Sequence, residues 1–241
     1  LSEIHEDDDT DSLTLGVLGG MGPAATLEFL ARLQAYTPAE KDQDHIRVIA
    51  DINPRVPDRN LQGSGAGQVL AEMAGALRGA GAEVLAMPCN TAHAHADLIQ
   101  RASGLPLIDM IDLGAEAAQQ SGALRAGVLG TKGALKLYRE YLAARGMGLV
   151  SLPPERQAAF METLYQIKAG DDGEEVAAAM KNFAEELVKA GAEVLVAGCT
   201  EVPLVLEPED VSVDLVDPGD LLARRCVAVC LGFEPTPQVG G

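Results

Sequence analysis

Two cysteines are singled out by where they fall. Gly81-Ala-Glu-Val-Leu-Ala-Met-Pro-Cys89 returns as Gly191-Ala-Glu-Val-Leu-Val-Ala-Gly-Cys199, so each thiol lies eight residues after its opening glycine, at an offset of 110. Gly16-Val-Leu-Gly19 returns as Gly127-Val-Leu-Gly130 at an offset of 111, and Leu107-Ile-Asp109 as Leu215-Val-Asp217 at 108. Three matches in one order at nearly one offset make the chain a duplication of two α/β halves. Each Cys follows a buried apolar run and precedes a helix start, where unpaired N–H groups favour thiolate. Two such halves facing one cleft set their thiols on opposite sides of a ligand. That suits taking a proton from one face of a carbon and returning one to the other, with the thiols titrating as a coupled pair. Metal binding is poorly supported by two Cys without spaced His partners, whereas a Cys89–Cys199 disulfide stays open on sequence. Cys226 and Cys230, four apart on an apolar helix, read as core.

The elements that must carry these residues alternate as in a parallel sheet covered by helices. Nearly continuous apolar runs predict strands at 13–18, 47–52, 84–87, 107–110, 125–129, 148–152, 194–197 and 215–217, four per half. Helices are predicted at 24–34, 68–80, 92–102, 112–121, 135–144, 155–169, 174–190 and 219–231. Gly81, Gly104, Gly122, Gly146 and Gly191 are placed to end five of them. The expected fold is α/β, with two similar lobes related by an internal pseudo-twofold, each a roughly four-stranded parallel sheet. Residues 13–112 with 217–235 form the first lobe and 113–216 the second. An acidic tail over 1–12 and a loose terminus over 236–241 are expected to be disordered.

Composition bounds the partners. The chain has 241 residues, is 47% apolar, and carries 18 Lys+Arg against 36 Asp+Glu, a formal charge of −18. Such acidity argues against nucleic acid and anionic membranes, which need a basic footprint. No apolar run reaches the roughly 18 residues of a membrane span. Four cysteines are too few for a disulfide scaffold, so a reducing cytosol is expected.

Gly16-Val-Leu-Gly-Gly-Met-Gly-Pro23-Ala-Ala-Thr26, Asn53-Pro-Arg-Val-Pro-Asp-Arg59, Met87-Pro-Cys-Asn-Thr-Ala-His93 and Gly198-Cys-Thr-Glu-Val-Pro203 resemble the motifs of the aspartate racemase family. The resemblance runs from about residue 13 to about residue 231. It implies a cytosolic, homodimeric amino-acid racemase of the aspartate/glutamate superfamily, acting on free aspartate without pyridoxal phosphate or any other cofactor or metal. It assigns Cys89 and Cys199 as the acid/base pair, and Asn90, Thr91 and Thr200 to the α-carboxylate and amine. Arg59 and Lys168 take the side-chain carboxylate, and Met21 lines the cleft. Arg suits that task through its planar fork; the competing reading of Arg59 is a surface partner of Asp58 or Asp51. Lys168 can equally be a helix-end lysine. His93 reads as a hydrogen-bonded first-turn residue, His95 as solvent-facing, and Asp44 with His45 as structural or a dimer contact.

Aspartate is preferred over glutamate because the first glycine loop lacks the acidic residue usual in glutamate racemases; glutamate or broader specificity is the alternative. Two other classes compete. Gly20-Met-Gly22-Pro-Ala-Ala25 satisfies a dinucleotide-type G-x-G-x-x-A, but Pro23 stiffens the turn and the acidic residue sought about 20 positions on is poorly placed, Asp51 following Gly22 by 29. A non-catalytic amino-acid-binding protein would not need the two thiols.

Overall fold

A computed structural model describes residues 12–61 and 63–239; the acidic stretch before Ser12 and the last two glycines lie outside them. The first half runs β1 (Leu15–Gly19), α1 (Pro23–Tyr36), β2 (Val48–Ile52), α2 (Ala66–Gly79), β3 (Val84–Ala86) and α3 (Ala96–Ser103). After α4 (Met110–Gln120), the second half runs β4 (Arg125–Val128), α5 (Lys132–Ala144), β5 (Gly148–Val150), α6 (Pro154–Lys168), α7 (Glu174–Lys189), β6 (Val194–Val196), β7 (Leu215–Val216) and α8 (Pro218–Cys230). Two parallel sheets result, ordered β2-β1-β3 and β5-β4-β6-β7.

The duplication is visible atom by atom. Gly16 pairs with Leu85 and Gly127 with Leu195, at equivalent points of the two sheets. A β-carbon on Gly16 would meet Ala82 Cβ and Leu85 Cδ2 at 2.8 Å; one on Gly127 would meet Ala192 Cβ at 2.7 Å and Leu195 Cδ2 at 2.8 Å. The same close approach of the neighbouring strand and the residue leading into it therefore selects glycine in both copies. All five glycines expected to end helices have positive φ.

Three expectations need correction. The fourth strand of the first half shrinks to a single bridge, Leu85 with Leu107, because Asp109 accepts hydrogen bonds from the N–H groups of Ile111 and Asp112 and starts α4 there. Its repeat partner Asp217 starts α8 in the same way, leaving β7 two residues long. The helix expected at 92–102 is a 3-10 turn, Thr91–His95, followed by α3. Cys199 precedes no α-helix: Val202–Leu204 is a three-residue 3-10 turn, since Pro203 and Pro208 each remove an N–H donor.

Four apolar clusters fill the faces of the two sheets. Leu222, Ala223, Cys226, Val227, Val229 and Cys230 of α8 pack in one cluster with Leu15, Val17 and Phe29, so the end of the chain closes over β1. Helix α4 faces both ways, with Met110 and Leu113 in that cluster and Ile111, Ala115 and Ala118 in the one around β4. Among the described residues no helix is long and apolar enough to cross a membrane.

Candidate active site

The loops leaving the carboxyl ends of β3 and β6 carry the two cysteines, where open parallel sheets place ligands. All four cysteines of the chain are free and buried. Cys89 and Cys199 line one cavity of about 240 Å³ together with Met21, Arg59, Asn90, Thr91, Lys168 and Thr200. All eight residues singled out by the sequence thus meet in one place, while Cys226 and Cys230 lie in the core. Asp58, Asn60, Thr131, Met161 and Tyr165 complete the lining.

Around Cys89 the side chains are held from both halves. Tyr138 of α5, fully buried, donates to Asn90 Oδ1 at 2.8 Å. That fixes the amide with Nδ2 buried and without a partner, in a residue that lines the cavity. Thr91 Oγ1 and Thr131 Oγ1 are 2.7 Å apart, and Thr131 also caps α5 by accepting from the Ala134 N–H. His93 does not touch the thiol. Its Nδ1 bonds the Cys89 carbonyl at 2.9 Å, and its Nε2 accepts from the Met110 N–H at 3.2 Å, pinning the cysteine loop to the start of α4.

Around Cys199 the surroundings are charged. Its Sγ donates to Glu201 Oε2 at 2.9 Å, and Lys168 Nζ lies 2.9 Å from Glu201 Oε1. The Thr200 hydroxyl donates to Glu201 Oε2 at 3.3 Å. Burial, with the negative charge of Glu201 added and Lys168 opposing, pushes the Cys199 thiol well above the usual range. The helix-end argument for a thiolate therefore fails at Cys199. Burial works against the Lys168 charge, but its interactions with Cys199 and Glu201 outweigh it and raise its pKa. Lys168 closes α6 as expected of a helix-end lysine, yet its amine turns into the cavity.

Arg59 forms no ion pair with Asp58 or Asp51. Among the described residues its one hydrogen bond is long, Nη1 to the Pro57 carbonyl at 3.4 Å, and its buried Nε has no partner. The loop carrying it is tied locally, Asp58 Oδ1 accepting from the N–H and side-chain amide of Asn60. Asn60 Oδ1 accepts in turn from the Gly133 N–H at 3.4 Å, reaching the second half.

Glu201 is the residue sequence reasoning missed. It is 2% exposed and sits two residues after Cys199, as Thr91 sits two after Cys89; the repeat itself was the signal that would have found it. Tyr138 lies in a helix position of the second half that carries no motif of its own, and Thr131 lies in the repeated glycine loop without having been singled out. The glycine loop is closed by its own chain, since a β-carbon on Gly20 would lie 2.5–2.6 Å from the Asn53 backbone. Packing, not a pyrophosphate, accounts for that glycine. Among the described residues no group of three or more His, Cys, Asp or Glu is placed to hold a metal ion.

Comparison with known proteins places the chain in a family. A family model described as Asp/Glu/Hydantoin racemase matches residues 18–226. The chain is 25% identical over 228 residues to the broad specificity amino-acid racemase RacX of Bacillus subtilis (strain 168), covering 91% of this chain and 99% of that protein. It is 34% identical over 195 residues to the glutamate racemase of Synechococcus sp. (strain CC9605), covering 77% and 70%. The solved aspartate racemase of Picrophilus torridus superposes with a TM-score of 0.79 at 25% identity, covering 91% and 94%.

Proposed function

Because the chain belongs to the Asp/Glu/hydantoin racemase family, and its relatives include amino-acid racemases, we propose that it interconverts L- and D-aspartate by proton transfer between Cα and two cysteines. The observation that carries this reading is a single small cavity lined by Cys89 and Cys199, buried thiols from equivalent positions of a duplicated fold. One sulfur, as thiolate, takes the α-proton; the other, as thiol, delivers a proton to the opposite face of the planar carbanion. The roles exchange with the direction of reaction. Asn90 Nδ2, Thr91 and Thr200 hold the α-carboxylate and amine, where negative charge grows as the Cα–H bond breaks and fixed donors act most strongly. Arg59, with its unsatisfied Nε, and Lys168 take the side-chain carboxylate, and Met21 walls the cleft. The chemistry as drawn uses only side chains of this protein.

Aspartate is the substrate assigned because two cationic groups serve one small cavity; its relatives include glutamate and broad-specificity racemases, so breadth is part of the test. The protein is incubated in deuterium oxide under reducing conditions, without added cofactor, with L-aspartate, D-aspartate and L-glutamate in turn. Proton NMR and chiral chromatography follow Cα exchange and the opposite enantiomer. The expected result is deuterium at Cα of the product enantiomer from either aspartate. Absence of exchange with both enantiomers overturns the racemase reading, and faster turnover of glutamate replaces the substrate assigned. We further infer a cytosolic homodimer from the family resemblance; light scattering on the purified chain measures its mass.

A further inference from the structure

The two halves of the site differ in the charge they place two residues past the cysteine. Two residues after Cys89 stands Thr91, neutral and bonded to Thr131; two residues after Cys199 stands Glu201, buried and bonded to both Cys199 and Lys168. The backbone repeats, but the charge beside the sulfur does not. A carboxylate 2.9 Å from sulfur accepts the S–H and repels a thiolate; the hydroxyl two residues past Cys89 carries no such charge.

Building on the racemase reading, we propose that Glu201 is a positioning residue that keeps the proton on Cys199 and shares Lys168 with the incoming side-chain carboxylate. Cys199 then waits as the acid and Cys89 as the base. In the forward step Cys89 accepts the Cα proton as that bond breaks, and the Cys199 S–H proton passes to the other face, leaving a thiolate next to Glu201. Lys168 then faces that thiolate, Glu201 and the substrate carboxylate together, and its charge offsets the repulsion among them. Because enantiomers have equal free energy, kcat/KM is the same in both directions; the resting asymmetry is read in kcat and KM taken separately.

The groups facing Cys199 define the test. Glu201 comes from its own loop, Lys168 and Tyr165 from α6, Cys89 from across the cavity, and Asp58 and Arg59 from the loop after β2. In a Cys89→Ser background Cys199 is the one cysteine left in the cavity. Its alkylation by iodoacetamide is followed against pH by peptide mass spectrometry. Glu201→Gln keeps the shape and removes the charge, so the midpoint is expected about one pH unit lower, a roughly tenfold loss of proton affinity. Lys168→Met is expected to move it the other way. Shifts of the same sign in both variants indicate mere loosening and overturn the proposal, as does an unmoved midpoint in Glu201→Gln. With both cysteines present, Glu201→Gln is expected to move the basic limb of the kcat/KM profile to lower pH, and Glu201→Asp to move it back. A limb that stays in place overturns the proposal. Alkylation needs no turnover: a protein that racemises nothing yet gives opposite shifts loses the function proposed above, while the proton-holding role of Glu201 stands.

Discussion

A β-carbon added to Gly133 would lie 2.6 Å from Thr91 Cγ2, across the boundary between the halves. The mirror relation holds too, since a β-carbon on Gly22, the repeat partner of Gly133, would lie 2.9 Å from Glu201 Oε1. Each glycine loop thus presses on the residue two past the cysteine of the opposite half. Gly133→Ala is expected to displace Thr91, break its bond to Thr131 and lower kcat/KM about tenfold, roughly 1.4 kcal/mol of transition-state stabilisation. Gly75→Ala in α2 is the control. Nothing lies within 4 Å of the new carbon, and helix propensity is expected to add about 0.5–1 kcal/mol of stability with activity unchanged. Steady-state polarimetry and thermal melts on the two variants decide it.

Tyr138 reaches from the second half to aim the Asn90 amide. Tyr138→Phe leaves Asn90 Oδ1 buried without its donor, costing about 1–3 kcal/mol of stability, and frees the amide to turn. KM is expected to rise about tenfold, a loss of roughly 1.4 kcal/mol in binding, with a smaller change in kcat. Asn90→Ala removes a donor at the growing charge and is expected to cost on the order of 10²–10³ in kcat. Equal and small effects on both parameters in both variants count against Asn90 as a carboxylate-binding group.

Arg59 decides what the side-chain pocket reads. An unpaired guanidinium in a small cavity discriminates by charge, and lysine cannot reproduce its fork. Arg59→Met is expected to lower kcat/KM for aspartate by about 100-fold or more, roughly 2.7 kcal/mol. Slow turnover of alanine, which has no second carboxylate, is expected to stay within about twofold. Arg59→Lys falls between. Parallel losses on both amino acids indicate a structural role for Arg59.

Much of this candidate site was legible because the chain repeats itself. Cys89 and Cys199 were found by comparing the chain with itself, and the sheet edge that carries them followed from buried runs such as Val84–Ala86 and Val194–Val196. What the repeat did not carry was where it had diverged. Glu201 replaces the Thr91 equivalent, and Pro203 with Pro208 replaces a helix by turns, so the helix-end argument for a thiolate lost to a burial and a charge that depend on tertiary packing. Strand 107–110 failed for a local reason: Asp109 is a better N-cap than strand residue, and the cap won after one bridge.

The buried thiols make stability depend on pH in one direction. Burial raises Cys226 well above the usual range, with Cys230 adding and Arg225 opposing, and burial with the charge of Glu83 pushes Cys230 up to about 12. Cys199 shares the direction. In the unfolded chain thiols ionise near about 8.5. Below that value both states keep their protons and stability is at its full level. Above it the unfolded chain releases protons that the folded chain retains, so unfolding is favoured by up to about 1.4 kcal/mol per pH unit for each such group. The loss continues until the folded thiols ionise, for Cys230 at about 12. Urea unfolding from pH 7 to pH 10.5 under reducing conditions, a range spanning roughly two units above the unfolded thiol value, is expected to give flat stability and then a steady decline. Cys226→Ala is expected to lower the plateau through the cavity it leaves and to flatten the decline. A decline as steep in Cys226→Ala as in the parent assigns the alkaline loss to other groups, with buried Tyr138, also raised chiefly by burial, the next to replace.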